Sequence, residues 1–327
     1  MIDLNELRTQ RFLGLGCSTF GGSTATGAAR ASLDRAFEQG IVYFDVARSY
    51  GYGQAEGIVG RFAQGKRDQV VIASKFGIVP PSITFKPLVL WGLRNLRKAL
   101  PASRQALTQA STSALAKTQF TPQLAESSLH ASLRELKTDY LDLFLLHEGS
   151  YADGRRDDVR AVLDQAQTKG DIRAWGATLS ERSCLQQQLK ARDPLDAVQF
   201  PFGQDATYRQ ALQTGSAIQI VYSVLNYYQS KGLLGQPTAP ATLAALKADF
   251  PALHFLNTLP ELLLYLAFAE LRAGVVLSSM TKPANIDRNT FLFNQQAAVP
   301  DVQLPAIQAR LMALLSLAPK TVQPRAA

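Results

Sequence analysis

In 122-PQLAESSLHASLRELK-137, Leu124, Ser128, Leu129, Leu133 and Leu136 recur at the helical period, and the apolar run 141-LDLFLLH-147 that follows reads as a strand. The same alternation extends in both directions. Upstream strand candidates are 12-FLGLG-16, 42-VYFDV-46 and 70-VVIAS-74; downstream ones are 172-IRAWGAT-178, 197-AVQF-200, 218-IQIVYS-223 and 275-VVLSS-279. Helical patterns over 28–39, 54–64, 155–169, 181–192, 206–214, 260–274 and 283–293 fill the intervals. Gly40, Gly170 and Gly274 stand where helices are expected to stop.

Eight strands alternating with eight helices predict an α/β protein with a parallel sheet and helices outside it. Eight units in one chain of 327 residues predict a closed (β/α)8 TIM barrel, a single domain over 1–327. A doubly wound open sheet is the competing arrangement. Two stretches interrupt the rhythm: an insertion at about 76–121, too long for a simple loop, and a tail after about Asn294.

The net charge of +8 is mostly local. Between Phe76 and Ala125 lie Lys86, Arg94, Arg97, Lys98, Arg104 and Lys117 and no acidic residue. A nucleic-acid binder would carry its excess on many elements, so no nucleic-acid partner is expected. Cys17 and Cys184 are the only cysteines, which gives neither a disulfide framework nor a zinc spacing, and no metal site is expected. The opening MIDLNELRTQRF lacks the apolar core of a secretory signal, and 262-LLLYLAFA-269 is too short to span a bilayer. The expectation is a soluble, cytoplasmic protein; no feature speaks to its oligomeric state.

In such a barrel, chemistry sits where strands end and the following loops begin. Asp45 ends the second strand, Tyr50 follows in its loop, Lys75 ends the third strand and His147 the fourth. Each alone has a bland reading as a turn residue, a solvated lysine or a packed ring. Together they do not, because a lysine ending an apolar strand needs a counter-charge, and Asp45 is the nearest carboxylate. A lysine beside a tyrosine is expected to lower the phenol pKa, and a histidine can hydrogen-bond a carbonyl oxygen. This set suits protonation of an oxygen that becomes an alkoxide, the proton half of carbonyl reduction; the hydride half needs a cofactor.

The segment 45-DVARSYG-51 resembles the D-T-A-x-x-Y-G motif of the aldo-keto reductase superfamily, and 70-VVIASK-75 and 139-DYLDLFLLHE-148 resemble its lysine and histidine strands. The resemblance runs from about Arg11 to Asn294. It implies a (β/α)8 barrel using NAD(P)H, with the catalytic tetrad on Asp45, Tyr50, Lys75 and His147. Histidine at 147, where some relatives have glutamate, implies reduction of a carbonyl, or the reverse oxidation, and not of a conjugated C=C bond.

The chain has no G-x-G-x-x-G; 14-GLGCSTFGG-22 has Thr19 at the third glycine position. A dinucleotide phosphate needs another cradle, and 275-VVLSSMTKPANIDRN-289 offers one, with Pro283 opening a helix and Lys282 just before it. The bland alternative is an ordinary loop capped by Thr281. By resemblance, Ser279, Met280, Thr281 and Lys282 form the loop for the adenosine 2′-phosphate, favouring NADPH (NADP+) over NADH. Arg288 adds charge there and Asn289 meets adenine. Likewise Gln199 and Thr178 serve the nicotinamide carboxamide, Tyr222 stacks on its ring, Ser223 and Leu225 touch the pyrophosphate, and Cys17 lines the cofactor. Three departures stand out: Leu179 where many relatives have Asn, Val224 for proline and Ser279 for glycine.

The insertion carries an amphipathic helix, 86-KPLVLWGLRNLRKALP-101, read as a lid with Trp91 or Phe85 near the pocket; a solvated helix and a membrane-surface or partner helix are the alternatives. The sequence thus predicts an NADPH-dependent oxidoreductase acting on a small-molecule aldehyde or ketone. A barrel that binds NADPH and turns over slowly as a redox-sensing regulatory subunit is the main alternative, and a Schiff-base lyase or isomerase using Lys75 a weaker one.

Overall fold

Eight parallel strands, β1 (Arg11–Gly16), β2 (Tyr43–Asp45), β3 (Val71–Phe76), β4 (Leu141–Leu146), β5 (Ile172–Thr178), β6 (Ala197–Pro201), β7 (Ile218–Tyr222) and β8 (Gly274–Ser278), pair each with the next. In the computed structural model β8 also pairs with β1, Arg11 opposite Gly274, so the sheet closes into a barrel and the open-sheet alternative is excluded. The structure describes residues 3–79, 118–203, 205–213, 217–230, 232, 234 and 238–317. The helix expected over 86–101, with Phe85 and Trp91, falls outside the described residues.

Strand alternation sorts side chains into two cores. Tyr43, Val71, Ala73, Leu143, Leu145, Ala174, Ala197, Ile218, Ile220, Val275 and Leu277 fill the barrel interior. Phe44, Ile72, Phe76, Phe144, Trp175, Val198, Phe200 and Val276 pack outward under the helices. Continuing the inward parity to each strand end delivers Asp45, Lys75, His147, Thr178, Gln199 and Tyr222 to one rim. That parity is what turns six separate segments into one site.

The outer ring includes the helices Thr26–Glu38, Ala55–Ala63, Pro122–Leu136, Asp157–Lys169, Arg182–Lys190, Ala206–Gln213, Leu259–Glu270 and Pro283–Asn294, close to the sequence expectation. Pro122–Leu136 begins on Thr121, whose hydroxyl accepts from the Leu124 N–H at 3.2 Å. Gly170 caps its helix at φ 84°. Gly274 does not stop a helix: that helix ends at Glu270, and Gly274 opens β8. It is glycine because a Cβ there would lie 2.3 Å from the Gln219 carbonyl oxygen.

The periodicity reading left out five helices among the described residues, the single turns Glu6–Thr9 and Tyr151–Gly154 and the longer Val224–Ser230, Ala239–Asp249 and Leu304–Leu317. The last occupies the tail and buries Ile307, Leu311 and Leu315, one residue per turn, a narrow stripe with a weak signal. Arg310 on it donates to Asp249 at 2.7 Å. No helix among the described residues is long and apolar enough to cross a membrane.

Candidate active site

The centre is a buried ion pair. Lys75 Nζ donates to Asp45 Oδ1 at 2.6 Å and to the Val46 carbonyl at 3.1 Å, with the side chains 1% and 4% exposed. Gln199 Nε2 donates to the other carboxylate oxygen at 3.1 Å, and Thr178 Oγ1 donates to Gln199 Oε1 at 2.9 Å. One hydrogen-bonded line thus joins β2, β3, β5 and β6. Burial pushes the Asp45 carboxyl above the usual range, while Lys75 and Gln199 pull it back. A lysine held this way is unsuited to a Schiff base, which needs a free, desolvated amine.

Tyr50 sits in a tight turn, Tyr50–Gly53, directly after β2 and its loop. Gly51 has φ 57°, and a Cβ there would lie 1.7 Å from the Phe20 carbonyl oxygen, so the motif glycine lets this turn press against the β1 loop. The phenol ring lies beneath Lys75 Nζ, 4.9 Å from its centroid, and meets the His147 ring edge-on at 5.5 Å. The expected lowering of the Tyr50 pKa does not occur. Burial pushes it well above the ordinary value, and the Asp45 charge adds to that. Tyr50 is therefore a neutral phenol, fitted to donate a proton.

Burial, then the Lys75 charge, lowers the His147 pKa to about 3. The imidazole is neutral, with one N–H to donate. An unfolded chain with an ordinary histidine, at roughly 6.5, binds a proton that the folded chain refuses. Stability contributed by neutral His147 is thus present above pH about 6.5 and falls as pH drops toward 3, by on the order of 2 kcal/mol at pH 5. Urea midpoints at pH 7 and 5 should diverge less for His147→Gln than for the parent chain; equal divergence contradicts a neutral His147.

These groups line one end of a cavity of about 470 Å³. Its walls include Thr178, Gln199, Tyr222, Ser223, Leu225 and Ser279 from the anticipated set. Gly16, Ser18, Glu148, Asn226, Leu264 and Leu277 also line it and were not anticipated. Strand parity was the signal available for Gly16 and Leu277. The Tyr222 hydroxyl lies 3.4 Å from Ser180 Oγ. Glu148 and Ser223, the residues after His147 and Tyr222, have φ 56° and 62°, uncommon for side-chain-bearing residues and concentrated at this rim.

Several expected cofactor residues stand elsewhere. Cys17 is wholly buried in the outer core, because β1 turns Leu13, Leu15 and Cys17 outward and Gly16 to the cavity. Met280 is likewise packed in that core and has only its main chain to offer a ligand. Arg288 donates to both Glu261 oxygens, at 3.0 and 2.5 Å, and to the Phe255 carbonyl, so its charge is already matched. Asn289 donates to Ser278 Oγ at 3.1 Å. Lys282 is exposed at the N-cap of Pro283–Asn294 and makes no ion pair among the described residues; Thr281 stands one residue before that cap. Leu179 packs in the outer core, so its departure from Asn removes a polar side chain from a non-cavity position.

The remaining tyrosines and Arg48 separate cleanly. Tyr43 is wholly buried in the barrel interior below Asp45, and Tyr52, at φ 57°, is not among the cavity-lining residues. Arg48 turns to the helix layer, where it donates to Ser128 Oγ at 3.4 Å. Among the described residues no cluster of His, Cys, Asp and Glu is placed to hold a metal ion.

A family model described as "Aldo/keto reductase family" matches residues 12–234. Methylglyoxal reductase YeaE of Escherichia coli is 27% identical over 202 residues, 62% of this chain and 53% of that protein. The chain spans about half the length of the first curated relatives it matches. The NADH-specific methylglyoxal reductase of Escherichia coli aligns more fully, 25% identical over 327 residues, 89% of this chain and 92% of the relative. Among solved structures, the holo form of aldo-keto reductase AKR11C1 from Bacillus halodurans superposes with TM-score 0.65 at 20% identity, covering 96% and 94% of the two chains. An aldo-keto reductase from Klebsiella pneumoniae in complex with NADPH gives 0.62 at 19%, covering 91% and 89%. At such identities the likeness speaks for the fold.

Proposed function

This chain belongs to the aldo/keto reductase family, and from that premise we propose that it is an NADPH-dependent oxidoreductase reducing an aldehyde or ketone to an alcohol, with Tyr50 as general acid. One observation carries the reading: a neutral phenol, a neutral imidazole and a buried Asp45–Lys75 pair converge at one end of a cavity.

The residues present fit a nicotinamide cofactor. Thr178 Oγ1 retains acceptor capacity and the Gln199 amide retains a second N–H, the complement of a primary carboxamide. Tyr222 adds a half-exposed ring to the same wall. Ser223, Leu225 and Ser279 continue the lining toward the helix whose first turn Lys282 precedes. When bound, the cofactor supplies the hydride.

The proton is handled by the chain. Tyr50 donates it to the substrate oxygen as negative charge develops there. Lys75 uses two of its three N–H bonds on Asp45 and Val46, which leaves the third for the phenolate oxygen that results. His147, neutral, offers one N–H to the same substrate oxygen and sets its orientation.

Arg288 being paired with Glu261, Lys282 is the charge left for a 2′-phosphate. An aldehyde and ketone panel followed by NADPH absorbance tests the activity, and Lys282→Ala tests the cofactor. The variant should bind NADPH about tenfold or more weakly, the size of a lost charged hydrogen bond, with NADH little changed. Equal loss for both nucleotides removes Lys282 from the phosphate site, and no turnover of any carbonyl with either nucleotide overturns the reading.

A further inference from the structure

Among the described residues that line the cavity, the charged ones are Asp45, Lys75 and Glu148. Asp45 and Lys75 are 2.6 Å apart and sum to zero. His147 is neutral. Among the described residues the cavity lining therefore owes its net charge to Glu148, which is exposed and makes no hydrogen bond or ion pair with them.

Backbone geometry puts this carboxylate at the rim. His147 keeps the inward parity of β4, so an extended Glu148 would turn toward the helix layer. Its φ of 56° breaks the alternation, and Gly149 follows where a Cβ would lie 2.9 Å from Leu146 Cβ. Glu148 is close enough to act on both cavity phenols: burial is the main cause of their raised pKa values, and the Glu148 charge adds to it at Tyr50 and Tyr222.

We propose that Glu148 sets the charge preference of the cavity, favouring carbonyl compounds that carry a cationic group over those that carry a carboxylate. The inference rests on the reduction reading for calling these compounds substrates, but the charge preference itself is a property of binding. A unit charge at a partly exposed site discriminates by Coulomb energy, so the preference weakens with added salt.

The test uses three probes of one shape: 4-formylbenzoate, benzaldehyde and 4-formyl-N,N,N-trimethylanilinium. Their binding to the full chain, with and without NADP+, is measured by calorimetry, and their reduction by NADPH consumption. The parent chain should bind the cation over the carboxylate by about tenfold, a ratio that shrinks in high salt. Glu148→Gln should collapse that ratio, and Glu148→Asp should retain it. An unchanged ratio in Glu148→Gln, a preference for the carboxylate, or no saturable binding by any probe overturns the proposal. Charge-ranked binding with no NADPH consumption would sink the reduction reading and leave this one standing.

Discussion

Tyr50→Phe should lower kcat for carbonyl reduction by about 10²–10⁴-fold, the contribution of a positioned proton donor, while NADPH affinity stays within about twofold, since the substitution removes one oxygen and leaves the other cavity-lining residues in place. The ring itself remains, so the contacts with Lys75 and His147 are preserved. Because burial and Asp45 hold the Tyr50 pKa well above its ordinary value, the parent chain should show no loss of rate from phenol ionisation between roughly pH 6 and 9. Steady-state rates paired with nucleotide titration check both parts. A variant keeping more than a tenth of the parent activity would assign the proton to another group.

Lys75→Met should have two separable effects. Turnover should fall by at least the Tyr50→Phe factor, because the phenolate left after proton transfer loses its cation. Stability should fall by about 3–5 kcal/mol, because Asp45 is left as a buried carboxylate without its partner. The pH sign follows from Asp45, whose carboxyl burial already raises and whose restraint by Lys75 is then gone. A group with a raised folded pKa contributes stability at low pH and loses it as pH rises through that value. The variant should therefore be less impaired at pH 5 than at pH 8 in urea unfolding. Adding Asp45→Asn should recover most of the lost stability without recovering turnover. A single variant as stable as the parent at pH 8 would mean the pair contributes little.

The barrel was legible because its interior strands are short, apolar runs separated by helical periods, and 70-VVIASK-75 shows the type: Val71 and Ala73 fill the interior and Lys75 inherits their direction. Asp45 and His147 follow the same logic from Tyr43 and Leu145. Motif position alone did less well. Cys17 sits one residue past an inward glycine and so faces the helices, and Met280 is drawn into the outer core by its own apolarity. The pairing of Arg288 with Glu261 was hidden because the two residues belong to different helices, and charge count alone cannot say which cation is already matched. The direction of the Tyr50 pKa was hidden for a related reason: a lysine's proximity is readable in sequence, but the burial of the phenol and the nearness of the Asp45 carboxylate are not.

The last pairing of the sheet joins Arg11 to Gly274, nearly opposite ends of the described chain. Closing so long a loop is entropically costly and kinetically slow, so strands near the start wait for partners made much later. On a ribosome, the chain would emerge with β1 to β7 and their tetrad residues already synthesised, yet without the strand that seals the barrel and carries Ser278 and Ser279 to the cavity. A nascent chain of this protein therefore completes the cavity only once β8 has been made, and its exposed β1 and β7 edges until then are the segments in need of chaperone protection.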